Sequence, residues 1–314
     1  MDDTSQFLML KGKSLVNIDD VASDDFFRIF NLAEEYKERL LKGEKIKELD
    51  SKIMSTLFFE PSTRTRLSFE SAMHRLGGGV ITVSEPKSSS TSKGETIADT
   101  LRMASSYSDI VVMRHPMEGA ARLASEFSSV PVINGGDGSG QHPTQTLLDL
   151  FTIWEKFGRI ENLNVSLVGD LKYGRTVHSL VKALSRFENT INLISPEILQ
   201  MPDHVLSGIR NMKGINKNAD MESVLTSSDV FYVTRIQKER FVDLNDYAKV
   251  IGSYSFDLQT INKMKKDAII MHPLPRVDEI APEVDSDPRA YYFKEAANGV
   301  FVRMAIISMI LGLR

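Results

Sequence analysis

Ile53-Met54-Ser55-Thr56-Leu57-Phe58-Phe59-Glu60-Pro61-Ser62-Thr63-Arg64-Thr65-Arg66 is the stretch that decides the fold. It opens with an apolar run of strand length, residues 53–59, which stops at Pro61. Beyond it, Phe69, Ala72, Met73 and Leu76 fall at i, i+3, i+4 and i+7, the spacing of one helix face. Gly77-Gly78-Gly79 closes that helix, and residues 80–83 read as the next strand. Strand, loop, helix and strand in this order imply a parallel sheet with helices packed on its faces.

The same alternation runs outward in both directions. Residues 24–41 read as an amphipathic helix with Phe27, Phe30 and Ala33 on one stripe. Strands are expected at 110–113 and 130–133, and a helix at 144–157. A second series starts at 165–168, with a helix ending at Leu184 and strands at 191–194, 230–234 and 268–271. Residues 300–313 read as an apolar helix with Arg303 near its start. The fold class is therefore α/β, with two series of parallel strands flanked by helices and residues 144–157 as the natural bridge between the two halves.

Composition narrows the function. A chain of 314 residues is comfortable for two α/β domains. The net charge of −4 argues against general nucleic-acid binding, though a positive pocket can still sit in a net negative chain. With no cysteine there is no disulfide, thiolate metal site or cysteine nucleophile. The first ten residues lack a basic region followed by a long apolar one, so no signal peptide is expected. No stretch approaches the ~18 apolar residues of a membrane span. No nucleic-acid or membrane partner is expected, and the absence of disulfides is only permissive of a cytoplasmic location.

Ser62-Thr63-Arg64-Thr65-Arg66 lies between a strand and a helix, where free N–H groups and the helix dipole favour an anion. Three hydroxyls and two arginines exceed what a helix cap needs, and the Arg64 fork suits phosphate oxygens. Arg66, two residues along from Arg64, points elsewhere and reads as half of a structural ion pair. Lys93-Gly94-Glu95-Thr96 follows a serine-rich loop, and a lysine there can close over an anion. Met113-Arg114-His115-Pro116 ends a strand, where ligands of open α/β sheets sit; Arg114 fits as a second phosphate ligand and His115 as structural.

Further along, His142 and Gln145 stand three apart at a helix start, able to converge on one small polar group, with a cap or core histidine as the alternative. The histidines are not clustered at metal-ligand spacing, so no metal is expected. Gly169-Asp170-Leu171-Lys172-Tyr173-Gly174-Arg175-Thr176 is close to a P-loop but has Arg175 where the lysine belongs, and suits a carboxylate better. Arg235 and Gln237 are two apart on an extended segment and face the same way. Met271-His272-Pro273-Leu274-Pro275-Arg276 is a rigid turn able to offer carbonyl oxygens to a ligand.

Taken in order, these seven motifs resemble the aspartate/ornithine carbamoyltransferase family, from about Val16 to the C-terminus. The second half resembles the aspartate branch. The ornithine branch typically has an Asp-x-x-x-Ser-Met-Gly loop and a His-Cys-Leu-Pro turn, whereas this turn is His272-Pro273-Leu274-Pro275. The resemblance implies carbamoyl transfer from carbamoyl phosphate to L-aspartate in pyrimidine biosynthesis. It implies two doubly wound domains joined by interdomain helices: a first, at 1–143 plus 295–314, that binds carbamoyl phosphate, and a second, at 158–294, that binds aspartate, with 144–157 as a linking helix. Ser62, Thr63, Arg64 and Thr65 would hold the phosphate, and Thr65, Arg114 and His142 would donate to the carbonyl oxygen. Gln145 and the backbone near Leu274 and Pro275 would hold the carbamoyl NH2. Arg175 and Arg235, assisted by Gln237, would grip the aspartate carboxylates. Ser89 and Lys93 match loop residues that reach a neighbouring subunit's site. A homotrimer with shared sites, no cofactor or metal, and room for a regulatory chain in an allosteric assembly complete the implication. Another amine acceptor, ornithine above all, and a P-loop-like nucleotide-binding protein are the alternatives.

Overall fold

The computed structural model describes residues 10–83, 94–209 and 211–313. Its Cα packing divides the chain into two units, Met1–Phe151 with Ala297–Arg314, and Thr152–Ala296.

The first unit is built on the decisive stretch. It contains α1 (Ser23–Leu41), β1 (Ile53–Phe58), α2 (Thr63–Arg75), β2 (Gly79–Val83), α3 (Ile97–Tyr107), β3 (Ile110–His115), α4 (Ala120–Phe127), β4 (Val132–Asp137) and the start of α5 (Pro143–Phe157). Four parallel strands lie in the order β2-β1-β3-β4. Central strands of a parallel sheet are covered on both faces and read as continuous apolar runs. So β1 and β3 are buried almost throughout, while the edge strand β2 is largely open. Leu57, Val111, Met113 and Val132 pack against Leu101, Ala104, Ala120, Ala121 and Ala124 from α3 and α4.

Two expectations need correction here. The buried stripe of α1 is Phe26, Ile29, Phe30, Ala33 and Tyr36, so Phe26 and not Phe27 is central. Phe27 sits beside the stripe with its ring edge-on to Phe30, centroids 6.1 Å apart. β4 starts later than expected and runs on through Asn134-Gly135-Gly136-Asp137, a sequence that reads as a turn. The ladder survives because Asn134 and Asp137 are buried partners, with Asn134 Nδ2 donating to Asp137 Oδ1 at 3.0 Å.

The second unit carries β5 (Asn164–Val168), α6 (Arg175–Leu184), β6 (Thr190–Ile194), α7 (Asp203–Leu206), β7 (Ile215–Asn216), α8 (Met221–Leu225), β8 (Val230–Val233), α9 (Leu244–Val250), α10 (Leu258–Asn262), β9 (Ile269–Met271) and the start of α11 (Tyr292–Ile310). Five parallel strands follow the order β7-β6-β5-β8-β9. Val168, Ile194, Phe231, Val233 and Ile270 of the sheet pack with Val224, Phe256, Ile261 and Tyr292. α11 begins two turns before the expected residue 300. Its first turns carry Lys294, Glu295, Asn298 and Gly299, which break the apolar pattern without breaking the helix. Among the described residues no helix is long and apolar enough to cross a membrane.

Candidate active site

In the first unit the chain moves from β1 outward to β2, then back across to β3. Loops leaving the carboxyl ends of β1 and β3 therefore part in opposite directions and open a crevice, the usual ligand site of such sheets. Phe58 and Arg114 are register partners at that point, and Phe59 N–H donates to Arg114 O at 2.8 Å.

The loop after β1 delivers the hydroxyl and arginine run. Ser62 is the N-cap residue of α2 with extended backbone (φ −158, ψ 95), yet its side chain makes no capping bond. The first N–H groups of an α-helix lack intrahelical acceptors and carry partial positive charge. Among the described residues, the Ser62, Thr63 and Thr65 hydroxyls and the Arg64 guanidinium have no hydrogen-bond or ion-pair partner. Thr63 and Arg64 are exposed, and Thr65 is buried. Arg66 behaves otherwise, with Nε 3.9 Å from Glu70 Oε1 one turn on, as its sequence position predicts.

Arg114 is nearly buried and already ordered. Its Nη2 lies 2.8 Å from Glu60 Oε2, and its Nη1 donates to Gly135 O at 3.2 Å. His115 accepts the Met117 N–H on Nδ1 at 3.0 Å and meets the Phe59 ring edge-on. Burial lowers its pKa, so the ring is neutral and structural. Asp137 organises the loop toward α5, accepting from Gln141 N–H at 2.9 Å and Gly119 N–H at 2.9 Å. His142 follows, buried, its carbonyl taking the Gln145 and Thr146 N–H groups at 3.0 and 3.2 Å. Gln145 is also buried and donates from Nε2 to Asp149 Oδ1 at 2.8 Å.

The second unit repeats the plan. Its switch lies between β5 and β8. Gly169 ends β5 with φ +112, where a Cβ would stand 2.3 Å from Thr234 O, so only glycine fits. Asp170 is fully buried and clamps both loops. Its Oδ1 accepts the Lys172 and Tyr173 N–H groups at 3.1 and 2.9 Å, and its Oδ2 the Gln237 N–H at 3.5 Å. Burial raises the Asp170 pKa, and these bonds offset part of that rise. Arg175 is the first residue of α6.

Arg235 and Gln237 are held by different carboxylates. Glu239 takes both Arg235 nitrogens in a two-point pair, Nη1 at 3.0 Å from Oε2. That bond raises the Arg235 pKa and lowers that of Glu239. Beyond β9, Leu274 has φ +55 and is followed by a cis bond to Pro275. His272 supports this turn: Leu274 N–H donates to its Nδ1 at 2.8 Å and its Nε2 bonds Glu279 Oε1 at 2.6 Å. With Nδ1 accepting, the ring proton lies on Nε2 and goes to the carboxylate. Burial pushes the Glu279 carboxyl up more than any single contact lowers it, but the His272 bond and attraction and the backbone N–H bonds together bring it below its ordinary value.

Residues 13–155 match the carbamoyl-P binding domain of aspartate/ornithine carbamoyltransferase, and residues 161–310 match its Asp/Orn binding domain. The chain belongs to the aspartate/ornithine carbamoyltransferase family. Within that family, the aspartate carbamoyltransferase catalytic subunit of Thermoplasma volcanium is 62% identical over 97% of this chain and 100% of that relative. The protein of the same name from Thermococcus onnurineus is 53% identical over 96% of this chain and 98% of its own length. Among solved structures, Trypanosoma cruzi aspartate transcarbamoylase with carbamoyl phosphate superposes with a TM-score of 0.92 at 41% identity, covering 96% of this chain and 98% of that one. The same enzyme with N-(phosphonacetyl)-L-aspartic acid also gives 0.92, at 41% identity over 96% and 97%. These relatives point to the aspartate branch and away from both the ornithine and the nucleotide-binding alternatives.

For a carbamoyltransferase, each unit carries the described residues of its expected set beyond the carboxyl ends of its strands. Ser62, Thr63, Arg64, Thr65 and Arg114 stand at the β1–β3 crevice, with His142 and Gln145 following β4. Arg175, Arg235, Gln237, Leu274 and Pro275 follow β5, β8 and β9, three neighbouring strands. Ser89 and Lys93 lie outside the described residues. Sequence reading missed the acidic residues that hold these groups: Glu60, Asp149, Asp170, Glu239 and Glu279. Two had a legible signal, since Asp149 and Glu239 stand four residues after Gln145 and Arg235.

Proposed function

We propose that this enzyme is an aspartate carbamoyltransferase, making N-carbamoyl-L-aspartate and phosphate. One observation carries the reading: an arginine and three hydroxyls without protein partners among the described residues, set at the bare N-terminus of α2 beside a switch point. That is a seat for a dianionic phosphate. The first unit would bind carbamoyl phosphate through Ser62, Thr63, Arg64 and Thr65. Thr65, Arg114 and His142 would meet the carbonyl oxygen, whose negative charge grows as the tetrahedral intermediate forms. Gln145 would take the carbamoyl NH2, together with the backbone at Leu274 and Pro275.

The second unit would bind L-aspartate, with Arg175, Arg235 and Gln237 on its carboxylates. Two arginines suit a dicarboxylate and would repel the cationic side chain of ornithine. The neutral amine attacks the carbonyl carbon, a C–N bond forms and the C–O bond to phosphate breaks. Phosphate leaves and accepts the amine proton. Catalysis consists of orienting two mutually repelling anions and stabilising developing charge.

The place in metabolism is pyrimidine biosynthesis in the cytoplasm, and the working unit is a homotrimer with shared sites. The relatives' name, catalytic subunit, supports an assembly and leaves room for a regulatory chain. Ser89 and Lys93 would be the residues lent to a neighbour. Turnover of carbamoyl phosphate with aspartate and with ornithine tests the acceptor: aspartate alone is carbamoylated, and carbamoylation of ornithine alone would sink the roles of Arg175 and Arg235. Mixing inactive Lys93→Ala chains with inactive Arg64→Ala chains tests the sharing. Activity returns in mixed trimers; no recovery would mean self-contained sites.

A further inference from the structure

Gln145 is an amide that must present one end to a ligand, and the residue that chooses the end is Asp149. The two stand one turn apart on α5, and Gln145 Nε2 donates to Asp149 Oδ1 at 2.8 Å. An ionised carboxylate accepts hydrogen bonds and cannot donate them. It therefore draws the NH2 end of the amide, which leaves Oε1 as the other end. The two ends of the amide are nearly equal in shape, so a flip would present donors in place of an acceptor.

The carboxylate is not an isolated buried charge. Arg303 of α11 lies in the same unit and is only 3% exposed. Its Nη1 donates to Ser68 Oγ at 2.7 Å and its guanidinium lies over the Phe69 ring, 4.8 Å from the centroid. Burial lowers the Arg303 pKa to about 10, and the charge of Asp149 opposes that fall. The attraction is mutual, so a buried cation accompanies the buried carboxylate.

We propose that Asp149 is a positioning residue that locks the Gln145 amide with its oxygen outward, making the site select a carbamoyl NH2 over a methyl group at the same place. The proposal rests on the reading of Gln145 as the carbamoyl contact. A ligand NH2 has only hydrogens to offer, so it needs an acceptor. A methyl group of equal size gains nothing from one.

The test uses the assembled enzyme and three ligands: freshly dissolved carbamoyl phosphate, acetyl phosphate and inorganic phosphate, each titrated calorimetrically. In Asp149→Asn the new side chain can pair with either end of Gln145, so the lock is lost. Carbamoyl phosphate binding weakens about tenfold while the other two ligands change by less than about twofold, because one hydrogen bond is at stake. Gln145→Ala loses the same selectivity, and the double variant is no worse than Gln145→Ala alone. Where Asp149→Asn does not fold, Asp149→Asn with Arg303→Met removes both buried charges and carries the same comparison. Equal weakening of all three ligands, unchanged carbamoyl phosphate binding, or additive losses overturn the inference. If Gln145→Ala leaves the carbamoyl to acetyl preference intact, the reading of Gln145 itself fails.

Discussion

Arg114 is held between Glu60 and the Gly135 carbonyl, its Nη2 2.8 Å from the Glu60 carboxylate and its Nη1 3.2 Å from the oxygen. An anion arriving at the β1–β3 crevice meets a cation that already has a carboxylate partner. The pair positions Arg114 and also competes with the ligand. Glu60→Gln removes the competing charge and loosens the positioning. Inorganic phosphate should bind slightly tighter. Turnover should fall by about a hundredfold, the scale on which small misplacements act. Phosphate titration beside steady-state rates checks this, and a parallel loss of phosphate affinity would show Glu60 to be supporting the binding site as a whole.

Arg64 gives the opposite kind of variant. It is exposed and, among the described residues, pairs with no carboxylate. Its charge therefore contributes nothing that the resting fold needs. Arg64→Ala should leave the melting temperature unchanged and lower turnover by more than about a hundredfold, the loss expected when charge-assisted bonds to a phosphate are removed. Near-normal turnover would take the α2 N-terminus out of the chemistry.

Gly169 tests the second unit. At φ +112 with Thr234 O 2.3 Å from any Cβ, an alanine meets both an unfavourable backbone and a fixed carbonyl. Gly169→Ala should cost about 2–4 kcal/mol of stability, the range for strain combined with a core clash. Chemical denaturation measures it, and a cost under about 0.5 kcal/mol, typical of surface changes, would contradict the close approach of the two loops.

Asp170 adds a pH signature. Its pKa is raised by burial, so between the ordinary aspartate value and the folded value the native state holds the extra proton. Its contribution to stability therefore falls as pH rises through that window. The ionised form is nonetheless the one able to accept from both loops, at Lys172, Tyr173 and Gln237. Asp170→Asn replaces one acceptor oxygen by a donor that faces backbone N–H groups. It should abolish the fall in stability across the window and raise the KM for aspartate about tenfold, as for a lost buried bond. Thermal unfolding as a function of pH, run beside aspartate kinetics, reads both effects. Parallel stability curves for the two proteins would assign the pH dependence to another group.

How much of this was legible in the sequence follows from what each residue does. Three hydroxyls and an arginine crowded into four positions form a local pattern, so Ser62, Thr63, Arg64 and Thr65 stand out within a single loop. Central strands announce themselves through apolar runs. Unlike Asp149 and Glu239, Glu60 was silent because its meaning is tertiary: it reads as a loop charge until β3 brings Arg114 beside it. β4 was cut short for a related reason, since Asn134 and Asp137 are tolerated in a buried strand only by virtue of each other. The start of α11 was hidden because Asn298 and Gly299 resemble a helix end, and only the buried side chain next to Gly299 explains the glycine.

That side chain is Arg303. A glycine inside a helix is usually worse than alanine by about 1 kcal/mol, so Gly299→Ala would ordinarily stabilise. Here a Cβ on residue 299 would lie 2.4 Å from Arg303 Nη1 and 3.2 Å from Leu148 Cδ2. The end of an arginine can normally swing aside, but this one is buried, bonded to Ser68 and stacked on Phe69. Overpacking of this kind costs about 1–3 kcal/mol and outweighs the helix propensity. Gly299→Ala should therefore destabilise the protein. Arg303→Met leaves a flexible, uncharged side chain that can yield, so in that background the alanine should cost less or turn favourable. A thermodynamic cycle over the two positions measures the coupling, and additive effects would mean that the glycine is kept for some reason other than room for the guanidinium.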